Sequence, residues 1–478
     1  MSHVVLGAYG AGALGQVLSQ LYFFFILKLL SAEQVGVYSW ALAITSLYVY
    51  ITDFGLTPFL VSEIPRQRYG LREVLGVILT VRLFPGIVAL VLILLWKTFD
   101  QPTGVELAVL GLMASAQFGQ LLEWGIVSWL QVGRRQNLVN LLSVVTPAGR
   151  VIGVLLVLWL RIDAALINFV VILVITQFVS LSIHAVMALR DSLCNATFRL
   201  PHAGLLVQFR GRVWRLTGLY ALMAGQARLD WLLVSALLTK VALANYAVAN
   251  KLVDFVTLGA GILAKTAYPW IAQAECQDNA VRPVLLLLER IFVLSIGVVS
   301  MLLVLWAPPL IQMLFGAKYD AAIPAVKVMA SLTSVFMLNN YFLYVLLGKN
   351  AETSYVTILA VATVAQIGVD LVLLPRLGIV GAAIGMTVMG LIVHAGQLAL
   401  LIKFGWLRTR EVIRMEAFVA VVILLTIVAS LGRLQPLWGS VATVCIVIAA
   451  GMFLLLTQSD RQQIRARLWF DARVPDGV

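Results

Sequence analysis

The sequence predicts an all-α integral membrane protein with about fourteen transmembrane helices, and three observations lead to this prediction. Of the 478 residues, 62% are hydrophobic and 12% are charged, where an ordinary soluble domain has about 25% charged residues. Apolar stretches of about 20 residues, enough for a helix to cross ~30 Å of hydrocarbon, recur from end to end. Basic residues gather in every second break between these stretches.

The apolar stretches are the predicted spans, numbered one to fourteen in chain order. They cover about 10–30, 36–60, 74–96, 105–130, 138–160, 164–189, 216–238, 244–272, 284–314, 322–347, 353–374, 378–402, 415–432 and 437–457. The first is expected to be a retained span, because the residues before it lack the basic region of a cleavable signal peptide. No break is long or polar enough to form a separate soluble domain.

The breaks alternate in basic charge. The breaks after even-numbered spans, together with the C-terminal tail, hold twenty Lys and Arg residues, and the other breaks hold six. By the positive-inside rule, the twenty-residue set and both termini face the cytoplasm. A wrong span count would disrupt this alternation, so the charges support fourteen independently of hydropathy. Topology and lipid headgroups therefore account for the net charge of +12 without a nucleic-acid partner.

A short repeat crosses the longest cytoplasmic break, which follows span six. The segment LLSAEQVGVYSWA, Leu29–Ala41, aligns without a gap with LLTKVALANYAVA, Leu237–Ala249. Both are predicted to form the exoplasmic turn between the first two spans of a six-span half. We therefore predict two pseudo-symmetric lobes around a central path, at residues 1–212 and 213–402, followed by two further spans and a basic tail at 403–478.

Four motifs carry a family resemblance: LLSAEQVGVYSWALAITSLYVYITDFGL, ALANYAVANKLVDF, LFGAKYDAAIPAVKVMA and LPRLGIVGAAIGMTVMG. Together they resemble the polysaccharide transport branch of the multidrug/oligosaccharidyl-lipid/polysaccharide (MOP) exporter superfamily, and within it the Wzx-type O-antigen flippases. The chain departs from that pattern at Asp370, where the family more often has Asn. From composition alone, the Gly-rich GIVGAAIG is expected to serve close helix packing, and FGAKY is expected to be an exposed turn.

The resemblance implies a MATE-like architecture of two six-helix bundles facing each other in a V, with two extra C-terminal helices. It implies a flippase that carries undecaprenyl-diphosphate-linked oligosaccharide to the periplasmic leaflet of the bacterial inner membrane by alternating access. Expected partners are this glycolipid and membrane lipids, with a polysaccharide polymerase and a chain-length regulator as further candidates. No cofactor or metal is expected, because the Cys and His residues lack ligand spacing. The coupling ion, H⁺ or Na⁺, stays open.

Charged residues inside the spans are the candidate site. A charge at the bilayer centre costs about 2.5–3.5 kcal/mol on insertion scales, so several imply a wet interior. Central cations outnumber acids, as a diphosphate requires, because guanidinium groups make bidentate, charge-assisted contacts. The candidate substrate-binding residues are Arg82, Arg150, Arg228, Lys251 and Lys265, and the candidate coupling or charge-pair residues are Asp53, Glu123, Asp230 and Asp254. The alternative is that these charges form ion pairs or snorkel and so stabilise helix packing.

Spacing suggests individual roles for some of these charges. Arg228 and Asp230 point about 200° apart on a helix, so either Arg228 faces the lumen and Asp230 pairs with a neighbouring helix, or the reverse. Lys251 and Lys265 lie within about 40° of one face and about 21 Å apart, at two depths of one path. Asp254 can pair with Lys251 at i,i+3.

Three alternative functions make different demands on the chain. A cation-coupled multidrug exporter needs an acid in an apolar pocket, and the interior cations would repel its substrates. A lipid II flippase would share the basic interior, and the sequence does not distinguish it from a Wzx-type flippase. A membrane polysaccharide polymerase or ligase needs a large exoplasmic loop with catalytic groups, whereas the predicted exoplasmic breaks are short and hold neither His nor paired carboxylates. No catalytic residues and no enzymatic activity are therefore predicted.

Overall fold

The computed structural model describes residues 2–53, 86–87, 91, 103–132, 136–161, 165–192, 222, 228–274, 281–348, 352–405, 409–431 and 444–451. All regular structure in these ranges is helical, and they contain no strand. The predicted all-α class is confirmed. The chain divides into two compact units. The first is made of Met1–Lys251, Leu314–Ala321 and Ile367–Ala382, and the second of Leu252–Met313, Ala322–Gln366 and Ala383–Val478. The predicted lobe boundaries at residues 212 and 402 stay a prediction.

The helices are labelled in chain order over the described residues. They are α1 Ser2–Leu29, α2 Ala32–Asp53, α3 Gly104–Val132, α4 Gln136–Leu142, α5 Val145–Trp159, α6 Leu166–Ser192, α7 228–237, α8 Lys240–Ala274, α9 Val281–Leu314, α10 Ile323–Ser331, α11 Thr333–Gly348, α12 Glu352–Leu377, α13 Ile379–Lys403, α14 Thr409–Leu431 and α15 444–451. A 3₁₀ turn, Ala317–Ala322, joins α9 to α10.

Seven helices in the described part are long and apolar enough to cross a membrane, and the pair α10 and α11, bent by 49°, makes an eighth if it forms one span. Apolar side chains on their surfaces, such as Val361, Val364 and Leu424, are more than half exposed, which suits contact with lipid. The protein is therefore a multi-pass membrane protein. Most of predicted spans three and fourteen, and about half of span seven, lie outside the described residues.

Predicted span five, counted above as the single stretch Leu138–Trp159, contains a two-residue turn that the hydropathy pattern did not indicate. Helix α4 ends at Leu142, and α5 begins at Val145 after a turn. Pro147 lies in the first turn of α5, where its missing N–H would have no intrahelical partner anyway. Close packing then holds α5 against α6, because a Cβ added at Gly153 would lie 2.6 Å from the Ile172 side chain.

The two turns of the sequence repeat share one capped geometry. In the first, the Ser31 hydroxyl accepts a hydrogen bond from the Gln34 backbone N–H at 3.2 Å. In the second, the Thr239 hydroxyl accepts one from the Ala242 N–H at 3.2 Å. Each is a helix N-cap, and α8 begins 208 positions after α2 begins, the same offset that aligns the repeat. The turns also pack together, because a Cβ at Gly36 would overlap the Lys240 backbone.

The FGAKY motif packs onto the end of α1. Gly316 adopts a φ of +89°, which allows the chain to turn after α9. The Lys318 ammonium donates to the Leu30 carbonyl at 2.6 Å, and the Tyr319 hydroxyl donates to the Leu27 carbonyl at 3.2 Å. Both side chains thus satisfy carbonyls that the end of a helix leaves open. The prediction of an exposed turn is wrong for Tyr319, which is fully buried.

The second unit contains a polar group of side chains that we call the His394 cluster, made of the buried Asn339, His394 and Gln397 and the partly exposed Glu416. His394 Nδ1 lies 2.8 Å from Asn339 Oδ1, and His394 Nε2 lies 3.0 Å from Glu416 Oε1. The Asn339 amide donates to the Gly390 carbonyl, and the Gln397 amide donates to the Asn339 carbonyl. The cluster therefore ties α11, α13 and α14 together.

Candidate functional site

The first unit encloses a half-open cavity of about 240 Å³, which we call the basic cavity. It lies among α1, α2, α3, α5 and α6, and side chains from α7 and α8 complete its wall. Three cations line it: Arg150 from α5, Arg228 from α7 and Lys251 from α8. The described lining includes no carboxylate. The structure thus brings together three of the five residues predicted to bind substrate.

Arg150 is held at the cavity wall by a neutral partner. Its Nη2 donates to Gln177 Oε1 at 3.2 Å, and its buried Nε has no hydrogen-bond partner within the described part of the chain. The Gln177 amide nitrogen donates in turn to the buried Glu123 carboxylate. Because the amide stands between the two charges, Glu123 positions Arg150 without pairing with it directly.

Glu123 has further partners on the side away from Arg150. Ser180 donates to Glu123 Oε1 at 3.0 Å, and His184 Nδ1 lies 3.5 Å from the same oxygen. His184 is buried on α6 and also hydrogen bonds to the Ser180 carbonyl at 2.8 Å. Glu123 therefore belongs to a buried network behind the cavity rather than to its lining. Its proposed part in coupling stays a prediction.

Arg228 faces the basic cavity and Asp230 contacts a neighbouring helix, while the placement of Arg228 in a transport lumen stays a prediction. Arg228 lines the basic cavity, its guanidinium lies 5.0 Å from the centre of the Trp231 ring, and its buried Nε has no hydrogen-bond partner among the described residues. Asp230 is 4% exposed and accepts a hydrogen bond of 2.6 Å from the Tyr246 hydroxyl on α8. The acid therefore serves the contact between α7 and α8, and the cation faces the cavity.

Lys251 contributes the third cation from α8. Its Nζ lies 5.3 Å from the centre of the Phe23 ring on α1, within the range of a cation–π contact. Phe23 and its neighbour Tyr22 belong to the aromatic segment QLYFFFILK. Most aromatic residues in such segments face lipid, whereas these two line the cavity. The Tyr22 hydroxyl donates to the Phe169 carbonyl at 2.8 Å, which fixes α1 against α6.

The remaining predicted residues are not part of the described cavity lining. Arg82 lies outside the described residues. Lys265 and Asp53 lie on α8 and α2, but their side chains are outside the described part. Asp254 is exposed on α8 and falls in the second unit, so its pairing with Lys251 stays a prediction. Among the described residues, no three His, Cys, Asp or Glu side chains lie close enough together to hold a metal ion.

Neutral polar residues of the cavity were missed by the sequence reasoning. Gln117, Gln120 and Trp124 line it from α3, and Gln20 lines it from α1. The three residues of α3 have i, i+3 and i+7 spacing, which places them on one helix face. This spacing was the sequence signal that could have predicted a polar face on α3. It was overlooked because neutral residues in an apolar span are less conspicuous than charged ones.

The family of the chain follows from a comparison with family models. The model described as "Polysaccharide biosynthesis protein" matches residues 8–275, more than half of the chain. The chain belongs to this polysaccharide biosynthesis protein family. The matched region contains every cation of the basic cavity. A search of curated proteins finds no match.

Solved structures share the fold of this family member at low sequence identity. The lipid II flippase MurJ, in an inward closed conformation, has a TM-score of 0.70 at 11% identity and covers 98% of this chain and 100% of its own. An outward-facing multidrug resistance MATE transporter of the MOP superfamily has a TM-score of 0.60 at 14% identity, with 84% and 95% covered. A MOP superfamily transporter from Pyrococcus furiosus has a TM-score of 0.62 at 12% identity, with the same coverage. The predicted MOP exporter fold is confirmed.

Proposed function

We propose that this family member is a Wzx-type flippase. It carries an undecaprenyl-diphosphate-linked oligosaccharide, the repeat unit of O-antigen or of another surface polysaccharide, from the cytoplasmic to the periplasmic leaflet of the bacterial inner membrane. The observation that carries the proposal is the basic cavity, with three cations and no described carboxylate in its lining. Membership of the polysaccharide biosynthesis family supports a glycan substrate, and the fold shared with a lipid II flippase supports a lipid-linked one.

The state of the guanidinium groups favours an anionic ligand. Arg150 and Arg228 each have a buried Nε without a partner in the described residues, and leaving a buried donor unsatisfied costs about 1–3 kcal/mol. Their exposure to a cavity argues against snorkelling to the membrane surface. A diphosphate supplies acceptor oxygens for several N–H groups at once, and its negative charge balances the cations. An anion would therefore supply acceptors for the N–H groups that have no partner within the described part of the chain.

Two rival functions differ in how well this cavity suits them. A lipid II flippase is the second candidate, favoured by the coverage of nearly the whole chain by MurJ, and its cargo carries the same diphosphate chemistry. An exporter of cationic drugs is disfavoured, because Arg150, Arg228 and Lys251 would repel such a substrate. The proposal involves transport without covalent chemistry, so we assign no catalytic residue.

The proposal includes alternating access between the two predicted lobes and cytoplasmic placement of both termini. Glu123, Asp230, Asp254 and Asp53 are the candidates for coupling to H⁺ or Na⁺. Lys265 and Arg82 are further candidate contacts for the diphosphate on its path. A polysaccharide polymerase and a chain-length regulator are the expected protein partners in the membrane.

The test is deletion and complementation in the cell that makes the protein. We expect deletion to remove the surface glycan and to leave its lipid-linked precursor on the inner leaflet. Lys251→Ala and Arg228→Ala should fail to restore the glycan at normal protein levels in the membrane, and Lys251→Arg should restore part of it. An unchanged surface glycan with increased sensitivity to cationic drugs would replace the proposal with drug export, and accumulation of lipid II would replace it with the second candidate.

A further inference from the structure

The turn between α9 and α10 lies in the first unit, although both helices lie mainly in the second. Leu314–Ala321 belongs to the same compact unit as Met1–Lys251, whereas α9 up to Met313 and the whole of α10 belong to the other unit. The predicted topology places this turn and the end of α1 on the exoplasmic side of the membrane. A segment from the second half of the sequence is therefore packed against the first unit at that side.

Three backbone carbonyls at the end of α1 accept hydrogen bonds from this turn. The Lys318 ammonium donates to the Leu30 carbonyl at 2.6 Å and to the Lys28 carbonyl at 3.3 Å. The Tyr319 hydroxyl donates to the Leu27 carbonyl at 3.2 Å. The last carbonyls of a helix lack intrahelical donors and carry a partial negative charge that attracts a cation. The turn therefore caps α1 with side chains that lie 288 to 292 positions later in the sequence.

Aromatic contacts accompany these hydrogen bonds. The Phe24 ring of α1 lies 5.7 Å from the Phe315 ring, and the Phe315 ring lies 6.4 Å from the Tyr319 ring. Tyr319 is fully buried, so water reaches its hydroxyl only if the turn moves away from α1. The hydrogen bonds and the ring contacts therefore form and break together, as expected of a contact with two discrete states.

Helix α1 connects this contact to the basic cavity. Tyr22 and Phe23 line the cavity, and they precede Leu27 by about one helical turn. The Tyr22 hydroxyl is held by the Phe169 carbonyl of α6, whereas the end of α1 is held by the α9–α10 turn. A movement of that end is therefore passed over about one turn of helix to the cavity wall.

We propose that Phe315, Lys318 and Tyr319 form a latch, which we call the α1 latch, that closes the basic cavity on the exoplasmic side. Release of Lys318 and Tyr319 from the α1 carbonyls frees the end of α1 and opens the cavity to that side. The inference rests on the proposed function, because a flippase must open its cargo site to each leaflet in turn. A few hydrogen bonds and one ring contact are weak enough to break and re-form in every transport cycle.

The test measures how fast a cysteine in the basic cavity reacts with a reagent on the exoplasmic side. The reporter is Gln20→Cys, because Gln20 lines the cavity. It is placed in the full-length protein after the natural cysteines are replaced by Ser at Cys194, Cys276 and Cys445. A membrane-impermeant maleimide is added to right-side-out membrane vesicles that contain the protein.

We expect slow labelling of Gln20→Cys while the α1 latch is intact. The Lys318→Met/Tyr319→Phe double change removes the three hydrogen bonds and keeps side chains of similar size. It should raise the labelling rate at least about tenfold, because the loss of these bonds shifts the equilibrium towards the open state.

Two controls separate a latch from a general loosening of the fold. Lys28→Met removes an exposed lysine side chain from the same helix end but keeps the backbone carbonyl that accepts from Lys318. It should leave the Gln20→Cys rate within about twofold. A second reporter, Val170→Cys, lies on α6 at a fully buried position that does not line the cavity. It should stay unreactive both with the intact latch and in the double variant.

The possible failures are distinguishable. Rapid labelling of Gln20→Cys with the intact latch, or an unchanged rate in the double variant, overturns the α1 latch. Equal acceleration at Val170→Cys also overturns it, because the contact would then hold the fold together rather than close the cavity. Labelling needs no cargo, so each of these results leaves the flippase proposal standing. Failure of the proposed function is recognised separately, by an unchanged surface glycan after deletion.

Discussion

The basic cavity of the first unit and the His394 cluster of the second unit are both polar groups inside apolar helices, but they differ in how far they are satisfied. In the His394 cluster, both ring nitrogens of His394 have partners, and the Asn339 and Gln397 amide nitrogens donate to backbone carbonyls. The Gln397 side-chain oxygen is an exception. In the basic cavity, the Nε atoms of Arg150 and Arg228 have no hydrogen-bond partner among the described residues.

The His394 cluster and the basic cavity also differ in their balance of acidic and basic groups. The cluster pairs one His with one Glu, so an acid and a base lie in contact. The cavity lining has three cations and no described acid. A group that is satisfied internally contributes to stability, whereas a group that needs a ligand to complete it contributes to binding. Substitutions in the cluster should therefore alter stability, and substitutions in the cavity should alter transport.

The largest expected effect on transport comes from Arg228→Ala. Loss of a charge-assisted contact to the proposed diphosphate ligand should lower transport about 100-fold. Removal of a half-buried cation whose Nε has no partner among the described residues should leave the thermal unfolding midpoint unchanged or higher. Lipid flipping in reconstituted vesicles and thermal unfolding in detergent measure the two quantities. Arg228→Lys is the control and should keep part of the activity. A stable variant with normal transport would make Arg228 structural.

The matching change in the second unit is His394→Leu. It leaves Glu416 and Asn339 without their shared partner, so we expect the free energy of unfolding to fall by about 1–3 kcal/mol. Transport per folded molecule should stay within about twofold of wild type, because the cluster does not line the described cavity. Thermal unfolding and flipping assays on the same preparation test both statements. A stable variant that cannot transport would place the cluster in the transport mechanism.

A smaller effect is expected where a network positions a cavity residue. Gln177→Leu removes the acceptor that holds Arg150 and should lower transport about tenfold, the equivalent of one or two hydrogen bonds. Glu123→Gln should have a similar effect, and the double variant should be no worse than the more severe single variant, because both changes act through Arg150. Flipping rates of the four proteins form the double-mutant cycle. Additive losses would show that Glu123 acts separately from Arg150.

The smallest effect is expected from Glu416→Gln. The amide group of Gln can still hydrogen bond to His394 Nε2, through its oxygen or its nitrogen according to the tautomer of the ring. Glu416 is partly exposed, with a side-chain exposure of 36%. The unfolding free energy should therefore change by less than about 1 kcal/mol. Thermal unfolding of Glu416→Gln and His394→Leu, measured under the same conditions, compares the two losses directly. A loss as large as that of His394→Leu would mean that the charge, rather than the hydrogen bond, stabilises the cluster.

The sequence predicted the features that a single residue or a simple run of residues reveals. Span lengths follow from hydropathy, and Arg150, Arg228 and Lys251 were identifiable because each charge is costly within an apolar stretch. The break before Pro147 and the bend between α10 and α11 were missed, because hydropathy carries no information on backbone angles. The amides of α3 were missed because a neutral Gln is tolerated in many helices, and only the tertiary structure shows which ones share a cavity.

The interval of 208 residues that relates the two capped turns also relates two residues of the basic cavity. Arg228 follows Gln20 by the same 208 positions that separate the starts of α8 and α2, and both residues line the cavity. Tyr246 follows Tyr38 by the same interval, and both are buried. A gene duplication would account for the common interval of 208 positions at these two pairs. One copy of this position presents a neutral amide and the other a fixed positive charge, so the two halves of the repeat bring chemically different groups to the same cavity.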